Sequence, residues 1–309
     1  MLPFKLVYHP GYDLSLGEHV FPSEKYRIVY DRLLDEGFAE PEDFVEPEPA
    51  PDEDLLLVHD SGWVERLKKG TLTFYEILRL EIPYSRQTVK AFWLAAGGTT
   101  LAARLALRDG IGYNITGGFH HAFPDHGEGF CAINDIAVAI RRLQREGLIE
   151  RAMVVDCDVH QGNGTAVIFA RDSQVFTLSI HQFKNYPAEK PPSDLDIHLP
   201  DETGDEEYLE RLRRAYLPAL AEHRSQLVVY VAGADTYYQD QLGGLSLTLE
   251  GLEARDRLVI GGALLQGVPV AIVLAGGYAV HTEDTVTIHV NTAKMAKQVL
   301  ARVGWKRRG

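Results

Sequence analysis

Short apolar runs alternate along the chain with longer segments that have the periodicity of amphipathic helices. The apolar runs are KLVYH near residue 5, GYNITGG near 112, AMVVDCD near 152, QVFTLSIH near 174, QLVVYVAGAD near 226 and VPVAIVLAGGY near 268. Such runs are typical of buried parallel strands. The helical patterns cover roughly 22–36, 62–80, 87–109, 134–147, 163–171, 206–223, 249–266 and 281–301. This alternation predicts an α/β fold with one open, mostly parallel β-sheet flanked by helices on both faces.

Two segments stand apart from this pattern. Residues 39–54, AEPEDFVEPEPAPDED, are acidic and proline-rich, and we expect a surface loop that cannot join the sheet. The basic run WKRRG at the end of the sequence is expected to be solvated. Neither a low-complexity linker nor an internal repeat divides the 309 residues, so we expect residues 1–309 to form a single catalytic domain.

Composition and charge narrow the classes of function. Hydrophobic residues make up 45% and charged residues 24% of the chain, and neither a membrane-spanning run nor a signal pattern is evident, which predicts a cytoplasmic protein. The formal charge of -13 argues against direct binding of nucleic acid or anionic membranes. Cys131 and Cys157 form neither a disulfide framework nor a Cys-x-x-Cys pair, and we interpret both as packing residues.

Five polar or glycine-rich stretches follow directly on predicted strands, where the ligand crevice of an open parallel sheet lies. They are GGFHHAFP, DCDVHQGNG, SIHQFKNYP, GADTYYQD and AGGYAVH. Asp158 and His160 are two residues apart, so on an extended segment both side chains leave from the same face. Asp235 ends another apolar strand, where a carboxylate would otherwise be buried without a partner. This set predicts a catalytic metal site, for which zinc is the first choice, although iron(II) and cobalt(II) also suit oxygen-rich ligands.

Two histidines and a tyrosine complete the candidate chemistry. His120 and His121 are adjacent in a glycine-rich loop, so both rings can face the crevice, and we interpret them as acid/base groups. Tyr278 follows two glycines at a strand end, which leaves its phenol free to donate to a developing oxyanion. Taken singly, a strand-end aspartate can cap a helix, and a histidine or tyrosine can pack a core or a loop. The combination favours the catalytic interpretation.

These residues resemble the zinc-dependent histone deacetylase superfamily, most closely its class IV branch. The similarity extends over most of the chain. The motifs that carry it, in the family's order, are GGT at 97–99, GGFHH, GFCAINDI, DCDVHQGNG, NYP, EYL, VVYVAGAD, LGGLSLT and GGY. The resemblance implies the arginase/deacetylase fold, one Zn²⁺ per chain and a structural K⁺ or Na⁺.

The resemblance also implies roles for individual residues. The zinc ligands would be Asp158, His160 and Asp235. The catalytic set would be His120 and His121 acting on the attacking water, Tyr278 polarising the acyl carbonyl, Asp156 supporting His120, and Asn163 beside His121. The tunnel for the acyl-lysine arm would be lined by Gly129, Phe130, Tyr186, Gly276 and Gly277. The monovalent cation would be held by Asp156, by the backbone carbonyls of Asp158, His160 and Ile180, and by Ser179 Oγ.

The chain departs from the family pattern in two places. Many members carry an aspartate where this chain has Asn163, and the neutral side chain is usual in class IV. A neutral partner favours the protonated form of His121 less, so we do not expect a symmetric relay through two histidine–carboxylate pairs. The sequence also reveals no counterpart of the rim aspartate that grips a peptide backbone in other classes.

The predicted reaction is hydrolysis of an acyl group, acetyl or a longer fatty acyl, from the side-chain amine of lysine or a related amine. Acylation removes the lysine charge, so the arm can enter a narrow apolar tunnel. Acetylpolyamines or other small acylated amines are the alternative substrates, and either histidine can serve as the general acid. Two further alternatives are an acyl-binding module without turnover and a binuclear manganese hydrolase of the arginase type. The second metal would need carboxylates at Gly162 and Tyr237.

Overall fold

The computed structural model describes residues 1–305, which are built around one sheet of eight parallel strands. The strands are β1 (Lys5–Val7), β2 (Phe44–Val45), β3 (Ile111–Asn114), β4 (Ala152–Asp156), β5 (Val175–Gln182), β6 (Leu195–Leu199), β7 (Leu227–Val231) and β8 (Val270–Val273). Their order across the sheet is β2-β1-β3-β8-β7-β4-β5-β6, and each neighbouring pair is parallel. The prediction of an open parallel sheet is therefore confirmed.

Helices cover both faces of this sheet, as predicted. They are α1 (Lys25–Asp35), α2 (Asp52–Leu55), α3 (Ser61–Lys69), α4 (Phe74–Leu80), α5 (Arg86–Asp109), α6 (Asp135–Arg145), α7 (Asn163–Phe169), α8 (Asp205–His223), α9 (Leu249–Leu265) and α10 (Thr282–Val303). Val154 and Val229 pack in one apolar cluster with α5 and α6. Met153, Val228 and Tyr230 point to the other face and pack with α8, α9 and α10. Since successive strand residues face opposite sides, burial of both faces makes the strand sequences continuously apolar.

The acidic segment 39–54 corrects one expectation. It does join the sheet, because Phe44 and Val45 form β2 and pair in parallel with Leu6 and Val7 of β1. The pairing is short and lies at the edge, where one side of the strand needs no partner and nearby prolines are tolerated. The prediction that this segment cannot join the sheet was therefore wrong.

The helix predicted over 62–80 is interrupted, which is a second correction. The helix α3 ends at Gly70, whose φ of 68° is left-handed and stops the helix. A new N-cap follows at Thr73, whose hydroxyl accepts a bond from the Glu76 N–H while the Glu76 carboxylate accepts one from the Thr73 N–H. This reciprocal capping box starts α4 as a separate helix.

Among residues 1–305, none of the helices combines the length and the apolar character that crossing a membrane requires. Residues 306–309, which contain most of the basic run WKRRG, lie outside the described residues. Cys131 and Cys157 are both buried and free.

Candidate active site

A buried cluster of two carboxylates and one imidazole lies at the carboxyl ends of the central strands. Asp158 and His160 follow β4, Asp235 follows β7, and these two strands pair directly. Their potential ligand atoms all lie within 4.8 Å of one another. His160 Nδ1 is 3.1 Å from Asp158 Oδ1 and 3.5 Å from Asp235 Oδ2. Within residues 1–305, this is the one group of His, Cys, Asp and Glu side chains placed to share an ion.

The backbone orients both carboxylates and leaves one oxygen unpaired. The Gly276 N–H donates to Asp158 Oδ2 at 2.8 Å, and the Val159 N–H donates to Asp235 Oδ1 at 2.9 Å. Asp235 Oδ2 is buried without a hydrogen-bond partner, which is unfavourable unless a cation binds it. A Cβ on Gly276 would lie 1.9 Å from this oxygen, so glycine keeps its surroundings open. The three side chains therefore fit a divalent metal ion.

The electrostatics of the cluster also favour a bound cation. Burial and the charge of Asp158 raise the pKa of Asp235 to about 7. Burial lowers the pKa of His160, but the proximity of the Asp158 and Asp235 carboxylates outweighs this effect and raises it to about 10. A positive charge close to the buried carboxylates of Asp158 and Asp235 is therefore stabilising. A divalent cation supplies that charge in place of protons and binds the neutral imidazole.

His120 and His121 lie side by side but have different partners. Their ring centroids are 4.0 Å apart. His120 Nδ1 is 2.6 Å from Asp156 Oδ2, the last residue of β4. His121 Nδ1 is 2.7 Å from Oδ1 of Asn163, the first residue of α7. One histidine therefore contacts a carboxylate and the other a neutral amide.

These partners separate the protonation of the two rings. Burial lowers the pKa of His120, whereas the charges of Asp156 and Asp158 raise it, with a net increase to about 9. Burial, together with His120 and His160, holds the pKa of His121 well below its usual range. A divalent cation beside Asp158 would lower the pKa of His120 in turn. The His121 ring is thus neutral at pH 7.

A cavity of about 410 Å³ connects the surface with His121, His160 and Tyr278. Gly129, Phe130 and Tyr186, the predicted tunnel residues, line it. Gly129 and Phe130 have left-handed φ values of 52° and 67°. They form the centre of a tight turn that is closed by two reciprocal backbone hydrogen bonds, of 3.1 and 2.9 Å, between the flanking residues. The turn places Phe130 in one wall of this cavity.

A second, much smaller cavity of about 20 Å³, termed the inner cavity because nearly all of its lining residues are buried, shares His121, Phe130 and Tyr278 with the larger one. His120, Asp158, Gly276 and Tyr278 are among its lining residues. Gly277, also predicted for the tunnel, lines neither this cavity nor the larger one. Its φ is 141°, and a Cβ at this position would lie 2.7 Å from Thr285 Cγ2 and 2.9 Å from Ala234 Cβ, so the position requires glycine.

Two of the residues predicted to hold a monovalent cation, Asp156 and Ser179, lie on adjacent strands, whereas Asp158 and His160 follow β4. Asp156 and Ser179 are direct partners in the pairing of β4 with β5, and Ile180 is the next residue of β5. Asp156 Oδ1 accepts the Asp158 N–H at 3.1 Å, and Ser179 Oγ is 2.8 Å from His181 Nδ1. The structure thus groups these side chains next to the zinc-type cluster.

Comparison with known proteins places this geometry in a family. A model of the histone deacetylase domain matches residues 19–293. The chain belongs to the histone deacetylase family. It is 43% identical to an uncharacterized protein of Picosynechococcus sp., over 96% of this chain and 99% of that protein. Histone deacetylase 2 of Arabidopsis thaliana is 32% identical, over 88% of this chain and 74% of its own length.

The fold is also that of a solved structure, the HDA15 HD domain. The HDA15 HD domain superposes with a TM-score of 0.78 and covers 96% of this chain and 90% of that chain. Because the sequence identity is 23%, this likeness concerns the fold alone. It agrees with the predicted arginase/deacetylase architecture of one parallel sheet between helices.

Sequence reasoning missed the residue that anchors the loop of Tyr278 in this histone deacetylase domain. Asp240 Oδ2 accepts the Tyr278 N–H at 2.7 Å, and Asp240 Oδ1 accepts the N–H groups of Leu242 and Gly243 at 2.8 Å. Asp240 therefore ties the segment after β7 to the segment after β8. The signal was available, since a second acidic residue follows Asp235 by five positions in GADTYYQD.

Two more charged residues reach the site from the amino-terminal part of the chain. Lys25 is fully buried, donates from Nζ to the Ala275 carbonyl at 2.9 Å, and has its pKa lowered to about 8 by burial. Lys25 lies on the same face of α1 as the buried Val29 and Leu33. A lysine within an apolar helix face was therefore the feature of the sequence that could have revealed it. Glu81 lines the mouth of the tunnel, but it lies in none of the motifs that the sequence analysis identified.

Proposed function

We propose that this chain is a zinc-dependent amidohydrolase that removes acetyl groups from the side-chain amine of lysine. The observation that carries the proposal is the unpaired Asp235 Oδ2 within the Asp158, His160 and Asp235 cluster, at the inner end of an apolar-walled tunnel and beside a neutral histidine. A zinc ion bound there would supply a Lewis acid, which polarises the amide carbonyl and lowers the pKa of water.

The residues of the chain supply the proton transfers and the oxyanion contact. Asn163 occupies His121 Nδ1, so Nε2 accepts the proton of the attacking water and delivers it to the leaving amine. The Tyr278 phenol, which lines both cavities, donates a hydrogen bond to the developing oxyanion. His120, held by Asp156, places a second imidazole beside the reacting groups.

A K⁺ or Na⁺ ion beside Asp156 belongs to the same proposal. The pairing of β4 with β5 sets Asp156 next to Ser179, and these side-chain oxygens are ligands that hard monovalent cations accept. A cation there would balance the charge of Asp156 and keep its orientation towards His120. It would act as a structural ion and contact no substrate.

The size of the inner cavity favours acetyl over a fatty acyl group. About 20 Å³ is room for roughly one water molecule or methyl group. A long alkyl chain would need the loops that carry His120 and Gly276 to move, and both residues are buried in contact with the metal-binding cluster. The proposed substrate is therefore a lysine with a short acyl group.

Release of carboxylic acid from peptides with acetyl-lysine or myristoyl-lysine tests this proposal. We expect kcat/KM for the acetyl peptide to exceed that for the myristoyl peptide by at least about 100-fold, because overpacking a rigid site is unfavourable. A chelator should abolish activity, and one equivalent of zinc should restore it.

Each contrary outcome has a definite meaning. No acid release at full zinc occupancy would indicate an acyl-binding module. Two tightly bound ions per chain would indicate a binuclear hydrolase. Preference for the myristoyl peptide would show that the inner cavity does not limit the acyl group.

Acetylated polyamines are the second candidate substrates, favoured by the carboxyl group of Glu81 at the tunnel mouth. A polyamine keeps further ammonium groups, which Glu81 would attract.

Glu81→Gln should raise KM for an acetylated polyamine about fivefold, and should change KM for an uncharged acetyl-lysine peptide less than about twofold. Steady-state kinetics on both substrates measures the difference, with Glu36→Gln at the carboxyl end of α1 as the matched control. Equal effects on both substrates would rule out recognition of a second ammonium group by Glu81.

A further inference from the structure

A chain of hydrogen bonds leads from His121 away from the tunnel to a buried carboxylate. His121 Nδ1 is 2.7 Å from Asn163 Oδ1. The other end of the same amide, Asn163 Nδ2, donates to Glu128 Oε1 at 2.5 Å. Glu128 is only 7% exposed. The motifs of the sequence single out His121 and Asn163 but not Glu128.

This network fixes the orientation of the Asn163 amide. The Gly164 N–H donates to Asn163 Oδ1 at 3.0 Å, and an ionised carboxylate can only accept a hydrogen bond. The amide nitrogen must therefore face Glu128 and the amide oxygen must face His121. Because that oxygen only accepts, His121 carries its proton on Nδ1, which leaves Nε2 as the basic nitrogen.

Glu128 remains ionised although it is buried. Burial raises its pKa, but His126, Asn163, Tyr186 and Arg79 together lower it below the ordinary value. Arg79 Nε lies 3.0 Å from Glu128 Oε2, on the side away from Asn163. The carboxylate is thus a fixed negative charge one amide group away from His121.

The position of Glu128 follows from the local turn. The reciprocal backbone bonds of Glu128 and Cys131 close the turn whose central residues are Gly129 and Phe130. One element therefore places Phe130 at the tunnel wall and Glu128 behind His121. The same closed turn that forms part of the tunnel wall therefore also fixes the location of the Glu128 side chain.

We propose that Glu128 is a positioning residue that acts through Asn163 on His121. It fixes the Nδ1–H tautomer of His121, and its charge polarises the Asn163 amide so that its oxygen stabilises the ring when Nε2 accepts a proton. The proposal rests on the hydrolysis proposed above. The carboxylate of Glu128 would thus support His121 through the Asn163 amide and not by direct contact.

Glu128→Gln is the first test. Glutamine keeps the size of the side chain but can donate as well as accept, so it no longer dictates the orientation of Asn163. We expect kcat to fall about tenfold and KM to stay within about twofold, as for other residues that orient a catalytic group. Arg79→Gln, which removes only the half-exposed ion pair with Glu128, is the matched control and should leave kcat within about twofold.

A double variant separates the charge from simple packing. Asn163→Asp together with Glu128→Gln places a carboxylate directly on His121 and a neutral amide behind it, and it should recover kcat to within about threefold of the unmodified protein. Asn163→Asp alone should be impaired, because two carboxylates in contact cannot both ionise. Unchanged kcat in Glu128→Gln would overturn the proposal, as would a folded, zinc-loaded double variant no better than Glu128→Gln.

Nitrogen-15 NMR of the histidine rings gives a readout independent of turnover. The zinc-loaded protein should show His121 as the Nδ1–H tautomer, and Glu128→Gln should add the Nε2–H tautomer. If the unmodified protein hydrolyses none of the acylated substrates but this change occurs, the proposed function fails and the positioning role stands. An unchanged tautomer in Glu128→Gln would overturn the positioning role.

Discussion

Replacing Asp235 with asparagine is expected to remove the bound metal and to lower the rate of acetate release by at least about 10³-fold, since several kcal/mol of Lewis-acid stabilisation are lost. The asparagine oxygen would still accept the Val159 N–H, as Asp235 Oδ1 does at 2.9 Å. Its NH₂ group would then occupy the place of Oδ2, and a donor repels a cation. Metal analysis of the purified variant and an assay of acetate release measure both effects.

Thermal unfolding separates this effect from misfolding. Zinc should raise the Tm of the unmodified protein, since a ligand that binds only the folded state stabilises it, but should not raise the Tm of the Asp235 variant. Asp43→Asn is the matched control, because Asp43 is equally buried and its carboxylate also accepts backbone N–H groups. A variant of Asp235 that keeps one zinc ion per chain and full activity would disprove the ligand assignment.

Tyr278→Phe should lower kcat by about 10²–10³-fold while KM and the zinc content change little. This is the usual effect of removing one oxyanion donor. The variant loses only the phenol oxygen. It keeps the backbone N–H that donates to Asp240 at 2.7 Å and the ring that packs against Phe21 and Phe130. Single-turnover kinetics with an acetyl-lysine peptide measures the chemical step directly.

The matched control for this variant is Tyr237→Phe. Tyr237 is a buried tyrosine after β7, close in sequence to the loop that Asp240 organises, and it lines neither cavity. Its variant should keep kcat within about twofold. A fully active Tyr278→Phe would remove the phenol from the mechanism and leave the oxyanion to the metal ion alone.

The sheet could be predicted where burial on both faces makes a strand continuously apolar. The six predicted runs overlap β1, β3, β4, β5, β7 and β8. The two strands that were missed, β2 and β6, lie at opposite edges of the sheet. β2 has only two residues, and β6, LDIHL, alternates apolar with polar residues. At the edge of a sheet, backbone pairing can define a strand that has no apolar run, so the amino-acid composition of such a segment does not predict a strand.

The cluster of Asp158, His160 and Asp235 could be predicted for a related reason. Its members end buried strands, where a charged residue interrupts an apolar run, and the parallel order brings strand ends together. Glu128 and Lys25 lie on no strand, so no such interruption marks them. Their roles depend on distances between segments far apart in sequence, which neither periodicity nor spacing reveals. Asn163 shows the same limit. Its neutral side chain predicted that His121 has no carboxylate as its direct partner, but it gave no sign of Glu128 behind it.

The order of strands in the sheet has a consequence for biosynthesis. β7 and β8, the last strands to be made, fill the middle of the sheet between β3 and β4. Until they emerge from the ribosome, the nascent chain can form only two separate fragments of sheet, and Asp235 and Gly276 are not yet available. Completion of the core and assembly of the Asp158, His160 and Asp235 cluster therefore depend on the same late event, the long-range insertion of two central strands, and long-range strand pairing is typical of slowly folding proteins.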